Sequence, residues 1–131
     1  MQPKFEEELV LAALDVQRKA YAPYSNFFVG AAIRTSSGKI LTGCNFENAS
    51  YGLSICAERG AVAAMIASGE REIGMVAVAS RGAVTPCGAC RQVLAEFGAN
   101  FSVILIDSET QDIRHRWLID ELLPGAFKLS S

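Results

Sequence analysis

Three cysteines and one glutamate in this chain have the types and spacing for metal-assisted acid–base chemistry. Cys56 and Glu58 stand two apart in Cys56-Ala57-Glu58-Arg59, and further along Cys87 and Cys90 form a Cys-x-x-Cys step within Pro86-Cys87-Gly88-Ala89-Cys90. Such a step lets two sulfurs reach one tetrahedral ion, and a third thiolate from a distant segment leaves one coordination position open to water. The competing arrangement recruits Cys44 as a fourth ligand and closes the site into a structural zinc module. A Cys-x-x-Cys alone is also shared with thioredoxin-like redox pairs. Glu58 favours the open site. Four closed thiolates would give it no duty, whereas beside a metal-bound water it can take and deliver protons.

Those residues must be presented by helix starts. Side chains at i and i+2 do not share a helix face. Cys56 and Glu58 therefore address one cavity only if Cys56 is a cap-like residue just outside helical geometry and Glu58 lies in the first turn. The second motif opens another helix. Helix N-termini offer free N–H groups and a positive dipole end, which favour the thiolate that zinc requires. A zinc ion with three thiolates still carries net negative charge and acidifies bound water less than a site of neutral ligands would. Arg59 and Arg91, each beside a ligand in sequence, are the candidates to hydrogen-bond the sulfurs and offset that charge.

The rest of the chain supplies the frame. Apolar residues Phe5, Leu9, Ala12, Ala13, Val16 and Ala20 recur at helical steps, with Glu6, Glu7 and Glu8 in the first turn and Arg18 and Lys19 in the last, as the helix dipole favours. Residues 28–35 and 39–45 flank the turn Ser36-Ser37-Gly38 as an antiparallel hairpin. Residues 56–68 form a second helix that is apolar almost all round; either a second copy of the chain covers it or a monomeric sandwich buries it. A strand at 75–80, a helix at 88–98, a strand at 103–107, a weaker fifth strand at 111–116 and a short helix at 118–123 complete the pattern. The βαβαβ rhythm after the hairpin implies parallel pairing there. The expected fold class is α/β, a three-layer α/β/α sandwich with a mixed five-stranded sheet.

Composition narrows the function. With 131 residues, 50% of them hydrophobic and 20% charged, the chain can bury one core and is neither disordered nor multidomain, so residues 1–131 read as a single domain. A net charge of −2 argues against binding a phosphate backbone and suits an uncharged small ligand. Residues 1–8, MQPKFEEE, lack the features of a signal peptide, and no apolar run is long enough to span a membrane, so a cytoplasmic location is expected.

Cys-x-Glu followed by Pro-Cys-x-x-Cys is the signature of zinc-dependent nucleobase deaminases. Further segments extend the match: Tyr21-Ala22-Pro23-Tyr24-Ser25-Asn26-Phe27, Val29-Gly30-Ala31-Ala32, Gly43-Cys44-Asn45-Phe46-Glu47-Asn48-Ala49 and Glu121-Leu122-Leu123-Pro124-Gly125-Ala126-Phe127. Over residues 20–127 the chain resembles the small, homotetrameric, three-cysteine cytidine deaminases. The resemblance implies one zinc per subunit on Cys56, Cys87 and Cys90, with Glu58 as proton shuttle, and hydrolysis of cytidine and deoxycytidine to uridine and deoxyuridine with release of ammonia, a pyrimidine-salvage reaction. It implies further that Asn45 and Glu47 bind ribose, Phe27 packs on the pyrimidine and Ala57 gives backbone contacts to the base. Ala49, Tyr51 and Phe127 match positions supplied to a neighbour's site in a homotetramer.

The sequence departs from that family at Phe28, Phe46 and Gly60, none a candidate ligand or acid–base group. Cys44 reads as a small buried residue and His115 as a solvated strand-end residue. Two other activities compete: deamination of a cytosine-containing nucleoside antibiotic such as blasticidin S, which the Asn45-Phe46-Glu47-Asn48 segment disfavours, and deamination within a polynucleotide, which the acidic balance disfavours.

Overall fold

Alternation along three strands sorts the core into two sides of one sheet. A computed structural model describes residues 4–129; the ends of the expected 1–131 domain, Met1 to Pro3 and Ser130 to Ser131, lie outside the described residues. The elements run α1 (Lys4–Gln17), β1 (Gly30–Thr35), β2 (Ile40–Cys44), a 3-10 turn (Tyr51–Leu53), α2 (Ala57–Ala67), β3 (Ile73–Ser80), α3 (Gly88–Ala95), β4 (Ser102–Asp107), β5 (Asp112–Leu118) and α4 (Ile119–Leu122). Ala32, Ala77, Ala79, Ile104 and Ile106 point to one face, where Leu9, Val10 and Ala13 of α1 cover them. Their strand neighbours Ala31, Ile33, Val76, Val78, Val103 and Leu105 point to the other, beneath Ala61 and Met65 of α2, Leu94 of α3 and Ile119 of α4. Helices on both faces of a five-stranded mixed sheet give the expected α/β/α sandwich.

The strand order is β2-β1-β3-β4-β5. Here the reading of the βαβαβ rhythm needs correction: β3 and β4 pair in parallel, but β3 pairs antiparallel with β1, and β5 antiparallel with β4. For β3 the cause is the hairpin, whose first strand inserts between β2 and β3 and separates the two strands that the rhythm would have paired; β5 follows β4 after a short turn with no crossover helix, which permits only antiparallel pairing. β5 is an exposed edge whose Arg114 and Arg116 charges discourage further strand pairing, and His115 between them is exposed, as expected.

Two side chains sit differently from expectation. Glu6 is buried in place of being a solvated first-turn acid, because Arg116 reaches across from β5 to its carboxylate at 2.6 Å. Cys44 is half-buried. It lies on the α1 side of β2, paired with Gly30, whereas its neighbour Gly43 faces α2.

Helix α2 presses onto the sheet through Gly43: a Cβ there would collide with the backbone of Gly60 and Ala61. Ala57, Glu58, Ala61, Val62 and Met65 form its buried side. Ala63 and Ala67 on its outer side remain exposed, so a single chain covers only part of this apolar helix.

Candidate active site

Cys56 and Cys87 occupy the same place in two helices. Each is the N-cap residue with extended backbone, φ −75° and ψ 154° for Cys56 and φ −68° and ψ 168° for Cys87, directly before α2 and α3. Glu58 therefore lies in the first turn of α2, the arrangement that the two-residue spacing required. Cys90 follows one turn into α3 and is fully buried. The three sulfurs lie within 4.8 Å of one another, and those of Cys87 and Cys90 are 3.4 Å apart. Cys44, on the other side of the sheet, has no part in the cluster.

The cluster opens into a cavity of about 330 Å³ to which Cys56, Glu58 and Cys87 contribute. The donor set fits a zinc ion. Three convergent thiols are soft ligands of the right number for an open tetrahedral site, and among the described residues no further cysteine, histidine or carboxylate joins them.

Charge is distributed unevenly over the cluster. Hydrogen bonding from Cys90, then from Cys87, and the positive charge of Arg59 outweigh burial and bring the Cys56 thiol down to about 6. The hydrogen bond to Cys56 and burial push Cys90 in the opposite direction. Glu58 is 5% exposed, and burial, with a smaller contribution from Cys56, raises its carboxyl to about 7. A carboxyl titrating near neutrality is suited to both accepting and donating a proton.

Arg59 acts on the Cys56 sulfur as a nearby charge from an exposed position. Arg91 departs from expectation. Its guanidinium donates to the carbonyls of Pro86 and Leu122, both at 2.8 Å, and so ties the residue before Cys87 to α4. Carbonyl oxygens are better acceptors for a guanidinium than thiol sulfur, and the fold places two within reach.

Phe27, Asn45, Glu47, Tyr51 and Ala57 also line the cavity, though they come from three separate segments. Asn45 follows β2, and its amide bridges the irregular segment ahead of β1, donating to the Phe27 carbonyl and accepting from Val29 N–H, each at 2.9 Å. It thereby fixes Phe27. Glu47 accepts from the Ser25 hydroxyl and from the N–H groups of Tyr24 and Ser25, which hold its carboxyl below the usual range. Ala49 and Phe127 are exposed and outside the cavity of their own chain. Val29, Phe46, Ser54, Ile55, Val78, Ser80, Val84 and Thr85 complete the lining and were missed as site residues. Thr85, immediately before Pro86-Cys87, and Phe46, between Asn45 and Glu47, had a sequence cue in their adjacency to the motifs.

Comparison with known proteins agrees with this geometry. The family model described as the cytidine and deoxycytidylate deaminase zinc-binding region matches residues 3–106. A probable cytidine deaminase of Dictyostelium discoideum is 44% identical over 124 residues, covering 92% of this chain and 82% of that protein. The cytidine deaminase of Halalkalibacterium halodurans is 42% identical over 121 residues, covering 91% of each. The crystal structure of cytidine deaminase from Burkholderia pseudomallei superposes with a TM-score of 0.86 at 47% identity, covering 92% of this chain and 98% of that one.

Proposed function

The chain belongs to the cytidine and deoxycytidylate deaminase family, and from that premise we propose that it hydrolyses cytidine and 2′-deoxycytidine to uridine and 2′-deoxyuridine with release of ammonia, as a single catalytic domain over 1–131. The observation that carries the proposal is a cluster of three sulfurs that meets a buried, neutrality-poised glutamate at one cavity, which Cys56, Cys87 and Glu58 line.

Cys56, Cys87 and Cys90 hold one zinc per subunit, which supplies Lewis acidity that lowers the pKa of water. Glu58 takes a proton from the attacking water as its oxygen adds to C4 of cytosine, and delivers it to the ring N3. It then takes the remaining proton from the C4 hydroxyl and passes it to the exocyclic amine; the C4–N bond breaks as C4=O forms, ammonia leaves, and the products balance cytidine plus water. Burial of Glu58 excludes competing bulk water and keeps its proton affinity near the working pH.

Phe27 packs on the pyrimidine and Ala57 offers backbone contacts to it, while Asn45 and Glu47 receive the ribose. Nothing cationic lines the cavity, whereas Glu47 is held ionised at its sugar end. A nucleoside fits that field better than its monophosphate, since a phosphate beside Glu47 would meet like charge. The reaction serves pyrimidine salvage in the cytoplasm; among the described residues no helix is long and apolar enough to cross a membrane.

Four copies assemble into a homotetramer in which Ala49, Tyr51 and Phe127 of one chain reach a neighbour's site; Tyr51, 76% exposed, borders its own chain's cavity as well. The exposed small residues Ala63 and Ala67 on α2 support that reading by leaving an apolar face on which another backbone can sit closely.

An ultraviolet assay of purified protein with quantified zinc tests the function, using cytidine, deoxycytidine, cytidine monophosphate, cytosine and blasticidin S. Cytidine and deoxycytidine should be consumed well ahead of the others. Full zinc occupancy with no loss of cytidine absorbance would sink the proposal.

A further inference from the structure

One wall of the cavity is a loop whose backbone is held from behind. Between β3 and α3, Gly82 and Ala83 both adopt left-handed backbone, φ 83° and 52°. Ala83 does so with its side chain buried, 3% exposed. An L-residue rarely keeps that conformation without outside support. A few residues later the same loop contributes Val84, Thr85 and Cys87 to the cavity.

The support comes from the C-terminal ends of the parallel pair, where Ser80 and Asp107 are register partners. Ser80 Oγ accepts the N–H of Val84 at 3.0 Å. Asp107 is 6% exposed; its Oδ1 accepts the N–H of Gly82 at 3.2 Å and that of Glu109 at 3.1 Å, while Arg114 sits on its Oδ2 at 2.9 Å. Asp107 lines no part of the cavity and is outside the sulfur cluster. From the far end, Arg91 anchors the same loop at the Pro86 carbonyl.

We propose that Asp107 is a positioning residue for the active site: through the N–H of Gly82 it fixes the left-handed corner, and with it the wall at Val84 and Thr85 and the sulfur of Cys87. Without that acceptor the corner relaxes toward ordinary backbone angles, and the displacement is passed down the loop to the metal ligand. The catalytic arm of the test rests on the deaminase reading; the metal arm does not.

The test compares wild type with Asp107→Ala, Asp107→Asn and Asp107→Glu. Zinc affinity is measured by chelator competition, and kcat and KM for cytidine are measured per mole of bound zinc, below each variant's melting temperature. Asp107→Ala should lose roughly tenfold or more in zinc affinity, as changes behind metal ligands typically do, with a rise in KM. Asp107→Asn keeps an acceptor oxygen for Gly82 and should recover most of both. Asp107→Glu keeps the charge and its cation but shifts the carboxylate by a methylene, so it should show the same losses at smaller size even if Asp107→Ala does not fold. Wild-type zinc affinity and KM in Asp107→Glu, or in a folded Asp107→Ala that has only a lower melting temperature, would overturn the proposal. A wild-type chain that binds zinc but leaves cytidine intact would sink the function reading alone, because the zinc comparison still reads out.

Discussion

Burying a carboxyl as deeply as Glu58 stores a cost that is measurable without substrate. Its folded-state value is about 7 against an ordinary 4.5. Between those pH values the metal-free folded chain keeps a proton that the unfolded chain has released, so this group's contribution is fully present below about 4.5 and is lost as pH rises through about 7. Glu58→Gln, a neutral isostere, removes the dependence. In the metal-free protein it should be more stable than wild type at pH 8, by no more than about 3 kcal/mol, and nearly equal to it at pH 4. Urea titrations at the two pH values check this; equal differences at both would show that Glu58 is not held protonated by burial. The same substitution should leave zinc bound yet reduce kcat by about 10²–10⁴-fold, the usual contribution of a proton-transferring side chain. At Arg59 the expected effect is electrostatic: Arg59→Ala should weaken zinc binding in chelator competition, and more so at low salt. Unchanged affinity would remove Arg59 from the site.

At the scale of elements, two glycines behave oppositely. Gly43 has backbone of α2 where its Cβ would stand, so Gly43→Ala must push the helix off the sheet. That overpacking should cost about 1–3 kcal/mol and shift Cys56 and Glu58 with the helix, lowering both melting temperature and zinc affinity. Gly60, by contrast, has its nearest heavy atoms at 3.7 Å from an added Cβ, ordinary contact. Gly60→Ala should therefore gain up to about 1 kcal/mol of helix stability, visible as a rise in melting temperature of a few degrees. These elements were largely legible beforehand, because helix periodicity and the turn at Ser36-Ser37-Gly38 are local signals. The caps were legible as well: the spacing of Cys56 and Glu58 admits one cavity only if the helix begins between them. Less legible were the pairing partners of β3, since a strand's neighbours are chosen by distant chain segments, and the fate of Glu6, which depends on Arg116 far along the sequence.

On the scale of the whole molecule, the open outer side of α2 bears on assembly. A 131-residue chain that leaves Ala63 and Ala67 exposed on an apolar helix has a face suited to self-association. Sedimentation equilibrium should give four times the chain mass, and Ala67→Arg, which puts a long charged side chain on that face, should shift the protein toward smaller species. A wild-type monomer at micromolar concentration would discard the tetramer. By itself the sequence determined the three clustered cysteines, the glutamate placed beside them and the helix starts that present them, because coordination chemistry and capping act over a few residues. Tertiary structure decided what those local signals leave free: that Cys44 is separated from the other sulfurs by the sheet, that Arg91 braces a loop and not a thiolate, and that Asp107 and Ser80 hold the corner leading to Cys87. Each of these depends on which strand lies beside which, and strand adjacency is settled only when the core closes.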